Sequence, residues 1–518
     1  MSDIPAHIPL ETTLKAERRG IQADTLAVSV VILLIATVVQ RSVGFGRSVI
    51  FCRWLTPQSL GEWEMVYSFL MLAAPLAVLG VPGSFGRYAE HYRQRGHLRT
   101  FLHRAAIWTT LCTIAALALI EIYAPHFSLL LFGRTDQTGL IRGIGLCLAA
   151  VILHHTLTAL LAALRLYRIV TAMNFAQSLL FAGISLVLMW RDPNIANIVI
   201  GYSIACVFAS TGAIIWAWPA LFRLEPPPER LAHGLFWIKL LRFAFFVWVS
   251  NLFSQLFAVV DRYMLVHCAN LTPSEALDQV GHYHSSRVIP LLLVSVAELL
   301  SGLIMPHLSH DWEAGRRDHV GQRLNTGVKL TSLGMLVSGA CILAAAPFLF
   351  HVVLQGRYDE GLAVLPWTLA GCVWYGVYCI AQNYLWCAEK TRLATAPLGI
   401  GLVVNIILNL FLLPTYGLHG AVLATAISTA LCLVTVLVFS QRHGMKLDAG
   451  TWLLALAPTA IGFGMWPAIV STVGLAALAL TTTAVFTAEE RRELAACIRD
   501  SLATFLPYVH RRRHPATP

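Results

Sequence analysis

The chain contains 518 residues, of which 57% are hydrophobic and only 12% are charged, and its formal net charge is +10. Soluble domains average about 25% charged residues, and a soluble fold of this length could not bury so large an apolar fraction. The composition therefore excludes the soluble classes of protein and indicates a chain that crosses a membrane many times.

The chain begins with a polar, basic stretch and continues with a long series of apolar runs. Residues 1–24 are predicted to form a cytoplasmic tail, because the apolar run behind them carries no small-residue cleavage site. Apolar runs of about 20 residues then predict fourteen spanning helices, and hence an all-α polytopic membrane protein. The predicted spans are 25–52, 62–83, 100–122, 139–162, 169–190, 195–218, 238–262, 284–306, 327–352, 363–386, 393–413, 417–440, 450–467 and 470–487.

A short repeat divides these helices into two units. Leu55-Thr56-Pro57 follows the first span and Leu271-Thr272-Pro273 follows the seventh, so the two triplets occupy equivalent places in two six-helix units. Both units enter the membrane from the same side, which is typical of a parallel repeat about an axis along the membrane normal. The predicted domains are the tail 1–24, a first lobe 25–218, a cytoplasmic linker 219–237, a second lobe 238–440, two further spans within 441–487 and a cytoplasmic amphipathic tail 488–518.

The basic residues predict the orientation of the chain. Most of the 37 lysines and arginines fall in the two tails and in the loops on the side of the N-terminus. Cytoplasmic loops carry such an excess, so both termini are predicted to lie in the cytoplasm. The positive charge is thereby explained by topology, and we expect no nucleic-acid partner.

Other kinds of site have little support in the sequence. The eleven cysteines are scattered without a Cys-x-x-Cys pair, which predicts neither a disulfide framework nor a zinc site. The histidines at 154, 155, 282 and 284 lack partners at ligand spacing, so no metal site is predicted. No nucleophile elbow or phosphate-binding glycine loop occurs, and we expect neither enzymatic activity nor a cofactor.

Two arginines lie inside the first predicted span, where each costs roughly 2.5–3.5 kcal/mol on insertion scales. Arg41 lies roughly 24 Å from the start of that span, which places it either in a central cavity or at the outer interface of a long helix. Arg47 is six residues further on, so on a straight helix the two side chains point about 120° apart. Gly44 and Gly46 lie between them, and a bend there is needed to turn both toward one cavity.

The eighth predicted span carries Arg287 and Glu298. Eleven residues of straight helix return almost to the same azimuth, so both side chains would point the same way, about 16 Å apart in height. Glu298 is the deepest acidic residue of the chain. The alternative to a role in a cavity is an internal pair with a polar neighbour such as Ser295 or Asn251.

The remaining polar residues of the spans are assigned to packing. Asp261 and Arg262 end the seventh span, and Asn405 and Asn409 share one face of the eleventh. Interhelical hydrogen bonds and ion pairs explain such residues at least as well as substrate contact, so we predict lobe packing or gating for these four. Four further charged residues lie near span ends and are expected to snorkel to the membrane surface: Glu64, Arg104, Glu121 and Arg142.

Three parts of the chain resemble a known family. The segment RSVGFGRSVIFCRWLTPQSLGEW, continuing to residue 96, resembles the opening of the polysaccharide flippases, which include the O-antigen transporters. The segments LLRFAFFVWVSNLFSQLFAVVDRYMLVH and GHYHSSRVIPLLLVSVAELLSGLIMPHLSHDW resemble the start of that family's second lobe. A third segment, LVVNIILNLFLLPTYGLHGAVLATAIS, is similar to its eleventh and twelfth spans. The family belongs to a superfamily with the multidrug (MATE) exporters and the lipid II flippases.

The resemblance implies two six-helix lobes in a V around a central cavity, with two extra C-terminal helices as in the lipid II flippases. It implies a bacterial inner-membrane transporter that moves an oligosaccharide on a polyprenyl pyrophosphate from the cytoplasmic to the outer leaflet by alternating access. Arg41, Arg47 and Arg287 would then meet the phosphates, and Glu298 would balance charge or couple a proton. The expected partners are the lipid-linked glycan, membrane lipids, and a glycan polymerase or glycosyltransferases.

Three other functions remain open from the sequence. A lipid II flippase differs from the first interpretation only in its cargo. A MATE-like, cation-coupled exporter would favour a cavity dominated by acids, whereas the deep charges here are three arginines and one glutamate. A membrane-bound glycan polymerase or ligase would typically have large outer loops, which are not predicted here.

Overall fold

The computed structural model describes residues 26–222 and 233–492, together with positions 495 and 499. The predicted tail 1–24, most of the linker 219–237 and most of the tail 488–518 lie outside the described residues. Every regular element within the described ranges is helical. This agrees with the all-α fold class predicted from the apolar runs.

Eight helices make up the part of the chain that we call the first lobe. They are α1 (Leu26–Trp54), α2 (Pro57–Ala77), α3 (Phe85–Gln94), α4 (Leu98–Ile122), α5 (Ala124–Phe132), α6 (Thr138–Ala163), α7 (Tyr167–Arg191) and α8 (Ile195–Phe222). A 3-10 turn, Val81–Ser84, joins α2 to α3.

We call the next seven helices the second lobe, and three short helices follow it. The second lobe consists of α9 (His233–Cys268), α10 (Pro273–Arg287), α11 (Pro290–Glu313), α12 (Arg317–Pro347), α13 (Asp359–Ala381), α14 (Asn383–Cys387) and α15 (Thr391–Arg442). The short helices are α16 (Ala449–Leu456), α17 (Thr459–Gly462) and α18 (Met465–Thr481).

The number of spans differs from a simple count of helices. Within the described residues, eight helices are long and apolar enough to cross a membrane, or nine if the bent pair Pro57–Ala77 and Val81–Gln94 forms one span. The 52 residues of α15 contain two predicted spans, and the backbone leaves the helical conformation between them at Gly417, with φ 51° and ψ −128°. An unbroken helix of that length would measure about 78 Å, more than twice a bilayer core of about 30 Å. The total of fourteen spans stays a prediction.

Both Leu-Thr-Pro triplets start a helix. Thr56 and Thr272 are the N-caps of α2 and α10, and each is followed by proline at the first helical position. Proline is favoured there because its missing N–H group would have no intrahelical partner. At Thr272 the cap is a complete capping box with Glu275. We call the end of the molecule that carries these two turns the hairpin end.

The two lobes meet tightly where α2 crosses α10. A Cβ atom on Gly61 would lie 1.8 Å from the carbonyl oxygen of Leu277, and one on Gly281 would lie 1.9 Å from that of Pro57. Only glycine permits backbones to approach this closely. Nearby, the Tyr358 hydroxyl at the start of α13 donates a hydrogen bond of 3.2 Å to the carbonyl of Leu55. The hairpin end is therefore closed in this structure.

A second contact between the lobes lies at the opposite end. Gly80 has a φ of 66°, and a Cβ there would lie 2.5 Å from Cβ of Trp248 in α9. Leu240 of α9 is buried in a cluster with Val81 and Phe85 of the first lobe. Because α9 and α10 touch the first lobe at two levels, a space remains between the lobes.

The eighth predicted span is two helices rather than one. The α-helical hydrogen bonding of α10 ends at Arg287, and α11 begins at Pro290. Val288 and Ile289 between them keep helical dihedral angles, so the break is an interruption of the hydrogen bonding at a proline, which cannot donate to the preceding turn. Arg287 and Glu298 therefore lie on two successive helical segments rather than on one uninterrupted helix.

A buried lysine ties the short C-terminal helices to the second lobe. Lys329 of α12 has no exposed surface, and its Nζ contacts Asp448, which caps α16, and Glu490 at 2.7 Å. Glu490 also accepts the backbone N–H of Thr487 at 2.8 Å. Buried charges occur almost only when paired, and here the pairing fixes three segments of the chain together.

Candidate functional site

A cavity of about 630 Å³ lies between the lobes. It lies at the level between the two contact zones, and α2 and α6 of the first lobe and α9, α10, α11, α13 and α15 of the second contribute side chains to its wall. Binding sites for small molecules typically measure about 300–1,000 Å³. Its lining includes two acids and one arginine, Asp261, Glu298 and Arg287. All three had been singled out from the sequence.

Arg287 lines this cavity and has an unused hydrogen-bond donor. It is the last residue of α10, and its guanidinium carbon lies 5.2 Å from the centre of the Tyr283 ring. Its Nη1 atom is buried and has no hydrogen-bond partner among the described residues. A buried, unpaired guanidinium nitrogen is costly unless an anionic group arrives to accept its protons. The arrangement is therefore suited to binding an anion.

Glu298 connects the cavity to the first lobe. Its Oε2 atom lies 3.9 Å from Nη2 of Arg41 on α1. Both side chains are about half exposed, at 55% for Arg41 and 49% for Glu298. Such an open ion pair is weak and can exchange partners. Arg41 itself does not line the cavity, but its partner does, so the two predicted residues do come together.

Arg47 does not join Arg41 at the cavity. The helix α1 is continuous through Gly44 and Gly46, so the bend that would turn both arginines the same way is absent from this structure. The guanidinium of Arg47 instead lies 4.1 Å from the centre of the Phe181 ring of α7. A guanidinium over an aromatic face gains a cation–π interaction. The predicted substrate contact of Arg47 is therefore not made in this conformation.

A buried ion cluster closes the seam between the lobes. Arg262 of α9 lies 3.1 Å from Oε1 of Glu64 on α2 and donates a hydrogen bond of 2.7 Å to Ser68. His284 of α10 contacts the other oxygen of Glu64 at 2.6 Å. The prediction that Glu64 snorkels to the membrane surface was wrong, because this carboxylate is buried and contacts two residues of the other lobe.

Asp261 extends the cluster into the second lobe. It accepts a hydrogen bond of 2.6 Å from the Tyr283 hydroxyl and lies 3.3 Å from the Thr425 hydroxyl. Asn405 donates to Thr425 at 3.2 Å, and Asn409 donates to Asn405 at 2.9 Å. The two asparagines are buried within the second lobe, whereas Arg262 bridges to the first. A gating role for these four residues remains our proposal.

The other three residues expected to snorkel differ in their exposure. Glu121 and Arg142 form an exposed pair at 2.9 Å, as is usual near the end of a span. Arg104 is buried, so the expectation was wrong for this residue. A position near the end of a span does not tell a buried charge from an exposed one, because burial depends on which other helix packs against that position. The burial of Glu64 could have been inferred from its position one turn beyond Gly61, the residue at which α10 approaches α2 closely.

Histidines and acids do not gather into a metal site in the described part of the chain. His154 lies 3.2 Å from the side-chain oxygen of Asn174, and His282 lies 3.3 Å from Asp278 one turn earlier in α10. His155 lines the cavity as a single histidine.

Comparison with protein families gives two matches. The model of the polysaccharide biosynthesis protein family matches residues 26–309, which is more than half of the chain. The MatE family model matches residues 247–411, within the second lobe. The two matches overlap at α9, α10 and α11, the helices that carry Asp261, Arg287 and Glu298.

Comparison with individual proteins gives matches over most of the chain. The lipid II flippase MurJ of Bacillus subtilis (strain 168) is 20% identical over 458 residues, which cover 80% of this chain and 82% of that protein. A structure of the lipid II flippase MurJ in an inward closed conformation matches with a TM-score of 0.67 and 16% identity, over 86% of this chain and 98% of its own. An inward-facing MATE multidrug resistance transporter of the MOP superfamily matches with a TM-score of 0.63 and 11% identity. The match covers 78% of this chain and 94% of the transporter's chain. At these identities the structures show a shared fold, that of a multi-pass membrane protein.

Proposed function

Since this chain belongs to the polysaccharide biosynthesis protein family, we propose that it is a flippase for a polyprenyl-pyrophosphate-linked oligosaccharide. The cargo would move from the cytoplasmic to the outer leaflet of a bacterial inner membrane by alternating access. The hairpin end would face outward, because the loops at the opposite end carry most of the basic residues.

The unpaired donor of Arg287 is the observation on which this proposal rests. An isolated ionised group crossing a medium of low dielectric constant costs on the order of tens of kcal/mol, so a pyrophosphate needs a partner of opposite charge on its way. Arg287 supplies a buried guanidinium donor without a protein partner, in a cavity walled by both lobes. An arginine fork matches phosphate oxygens better than a point charge does. The lipid tail would meanwhile stay in the bilayer.

Arg41 and Glu298 would act beside Arg287. Their half-exposed pair leaves Arg41 free to exchange Glu298 for a phosphate or a charged sugar, and leaves Glu298 free to balance the remaining charge. Arg47 would contribute only in a conformation in which α1 bends.

A lipid II flippase is the second candidate. The name of the curated relative, which covers 80% of this chain, favours it. Its cargo is also a glycan on a lipid pyrophosphate, so the same Arg287 would serve. A cation exporter of the MATE type is less well supported, because Asp261, one of the two acids of the cavity, is already engaged by Tyr283 and Arg262.

The test is transport by the purified full chain in liposomes. A fluorescent polyprenyl-pyrophosphate oligosaccharide is supplied in one leaflet, and its arrival in the other is followed by chemical quenching. We expect Arg287→Gln to slow flipping by about tenfold or more, because a hydrogen bond to a charged group contributes about 1.5–3 kcal/mol. The matched control is Arg142→Gln, an exposed arginine outside the cavity, which should leave the rate unchanged. Equal rates for Arg287→Gln and the unmodified chain, with both folded, would exclude the proposal.

A further inference from the structure

The first lobe contains a cluster of aromatic rings that the anion site does not use. Trp63 of α2 packs against Phe181 of α7 with ring centres 5.8 Å apart, and against Tyr202 of α8 at 6.2 Å and an angle of 80°. Phe181 and Tyr202 lie 4.7 Å apart. These three rings are buried. Edge-to-face and tilted packing of this kind holds each ring in one orientation.

One further ring of the cluster is exposed. Tyr67 lies 5.8 Å from Trp63 and 6.1 Å from Tyr202, and 37% of its surface is accessible. The buried rings fix its orientation from behind. Arg47, placed over Phe181, adds a cation to the same cluster. Tyr67 is thus a rigid, accessible aromatic surface.

The position of Tyr67 on α2 directs it toward the space between the lobes. Tyr67 continues the helical stripe formed by Met71, Ala74 and Val78, which line the cavity. Its helix α2 is flanked by α6 and α8 of its own lobe and by α9 and α10 of the other, so lipid does not surround it. The charge of Arg41, the partner of Glu298, also acts on the Tyr67 hydroxyl. Tyr67 therefore lies one turn from the part of α2 that lines the cavity, within electrostatic reach of Arg41.

An exposed ring next to an ion pair has a specific use. A pyranose ring presents a face of C–H groups that stacks on an aromatic surface, and its hydroxyls need donors and acceptors at the edge. Tyr67 offers the surface, while the guanidinium of Arg41 and the carboxylate of Glu298 offer the polar edge. The pyrophosphate head of the bare lipid has no C–H face to place against such a surface.

We propose that Tyr67 is a stacking surface for a sugar residue of the cargo, separate from the pyrophosphate position at Arg287. The proposal rests on the proposed function and divides the site into a sugar subsite on the α1 side and an anion subsite at Arg287. In the present conformation Arg47 lies against the ring cluster behind this surface.

The experiment compares two lipids on the purified full chain in nanodiscs. The probes are undecaprenyl pyrophosphate and undecaprenyl pyrophosphate carrying one N-acetylglucosamine, and the dissociation constant of each is measured. The unmodified chain is expected to bind the glycosylated lipid about fivefold to tenfold more tightly than the bare one. Tyr67→Ala should reduce this preference to less than about twofold without weakening binding of the bare lipid. Tyr67→Phe keeps the ring and should retain the preference.

Two controls keep the outcomes separate. Tyr416→Ala removes a tyrosine that is 62% exposed and outside the cluster, and should leave both constants unchanged. If Tyr67→Ala does not fold, Tyr67→Leu replaces it, because leucine keeps apolar volume without a stacking face. A chain that binds neither lipid would refute the proposed function and this inference together. A preference for the glycosylated lipid that survives in the folded Tyr67 variant would overturn the sugar subsite alone.

Discussion

Two sets of charged residues in the membrane-embedded helices differ in how they are paired. One set is buried and paired, as in the cluster of Glu64, Arg262 and His284 at the seam of the lobes. The other consists of Arg287, which has a donor without a partner, and the half-exposed Arg41–Glu298 pair. The first group stabilises one arrangement of the lobes, and the second can bind a passing anion.

Glu64→Gln tests the paired group. The change leaves Arg262 buried without its counter-charge, and removing one partner of a buried ion pair typically costs about 3–5 kcal/mol. We expect a clear fall in the thermal unfolding temperature of the purified protein. Glu121→Gln, in the exposed pair with Arg142, should cost about 0–1 kcal/mol and barely shift the transition. Equal shifts for the two variants would show that the seam cluster does not hold the lobes together.

Arg41→Gln and Glu298→Gln test the available group. Because both side chains are half exposed, each substitution should change stability by no more than about 1 kcal/mol. The rate of flipping, by contrast, should fall in both variants, since both side chains stand where the cargo must pass. A double variant that is no slower than either single one would indicate that the two residues act as a pair. Stability losses as large as that of Glu64→Gln would contradict this assignment.

The helices are arranged by a few positions at which side chains are absent or fixed. Gly61 and Gly281 allow α2 and α10 to cross, Pro290 interrupts the helical hydrogen bonding after Arg287, and Gly417 breaks α15. Each of these positions determines which lobe contact or cavity wall the neighbouring residues can form.

Gly281→Ala tests the crossing. Its new Cβ would lie 1.9 Å from the Pro57 carbonyl oxygen, so α2 and α10 must separate. We expect the variant to unfold at a lower temperature and to lose closure of the hairpin end. The matched control is Gly183→Ala in α7, where a Cβ meets nothing within 4 Å and helix propensity favours alanine by about 1 kcal/mol. A Gly281→Ala variant as stable as the control would disprove the tight crossing.

Lys329→Met tests the attachment of the C-terminal helices. It leaves Asp448 and Glu490 without their cation, and limited proteolysis should then cut the segment after α18 more readily. Lys446→Met removes a lysine from an exposed pair with Asp318 and serves as the control. Unchanged protease resistance of the Lys329 variant would show that α16 and the segment 487–490 are held by other contacts.

The sequence predicted the helices and the deep charges well, because apolar runs and buried charges have strong local signals. Arg287 and Glu298 were found in this way. Glu64 was missed because its burial depends on α10, which lies more than 200 residues further along the chain. Arg47 was assigned to the cavity only through a bend at Gly44 and Gly46, and the sequence does not reveal that its guanidinium lies over Phe181 of α7 instead. The interruption of helical hydrogen bonding at Pro290 was overlooked because the apolar run continues through it.

At the scale of the whole molecule, the two lobes are joined at the hairpin end and at the opposite end, with the cavity between. The lobes must separate at the hairpin end if the cavity is to open there, and that movement breaks the crossing at Gly61 and Gly281 together with the ion pairs of Glu64. The proposed transport cycle therefore depends on reversible opening at this end.

A reversible cross-link at the hairpin end tests this dependence most directly. A Cβ on Gly133 of the first lobe would lie 3.3 Å from Cβ of Pro273 of the second, close to the separation of about 3.8 Å in a disulfide. Gly133→Cys and Pro273→Cys are combined, and flipping of the fluorescent glycolipid is measured in liposomes after oxidation and after reduction. The two variants that carry only one of these substitutions receive the same treatment as controls. The account predicts that flipping stops in the oxidised double variant and returns on reduction. Undiminished flipping by the cross-linked protein would contradict it.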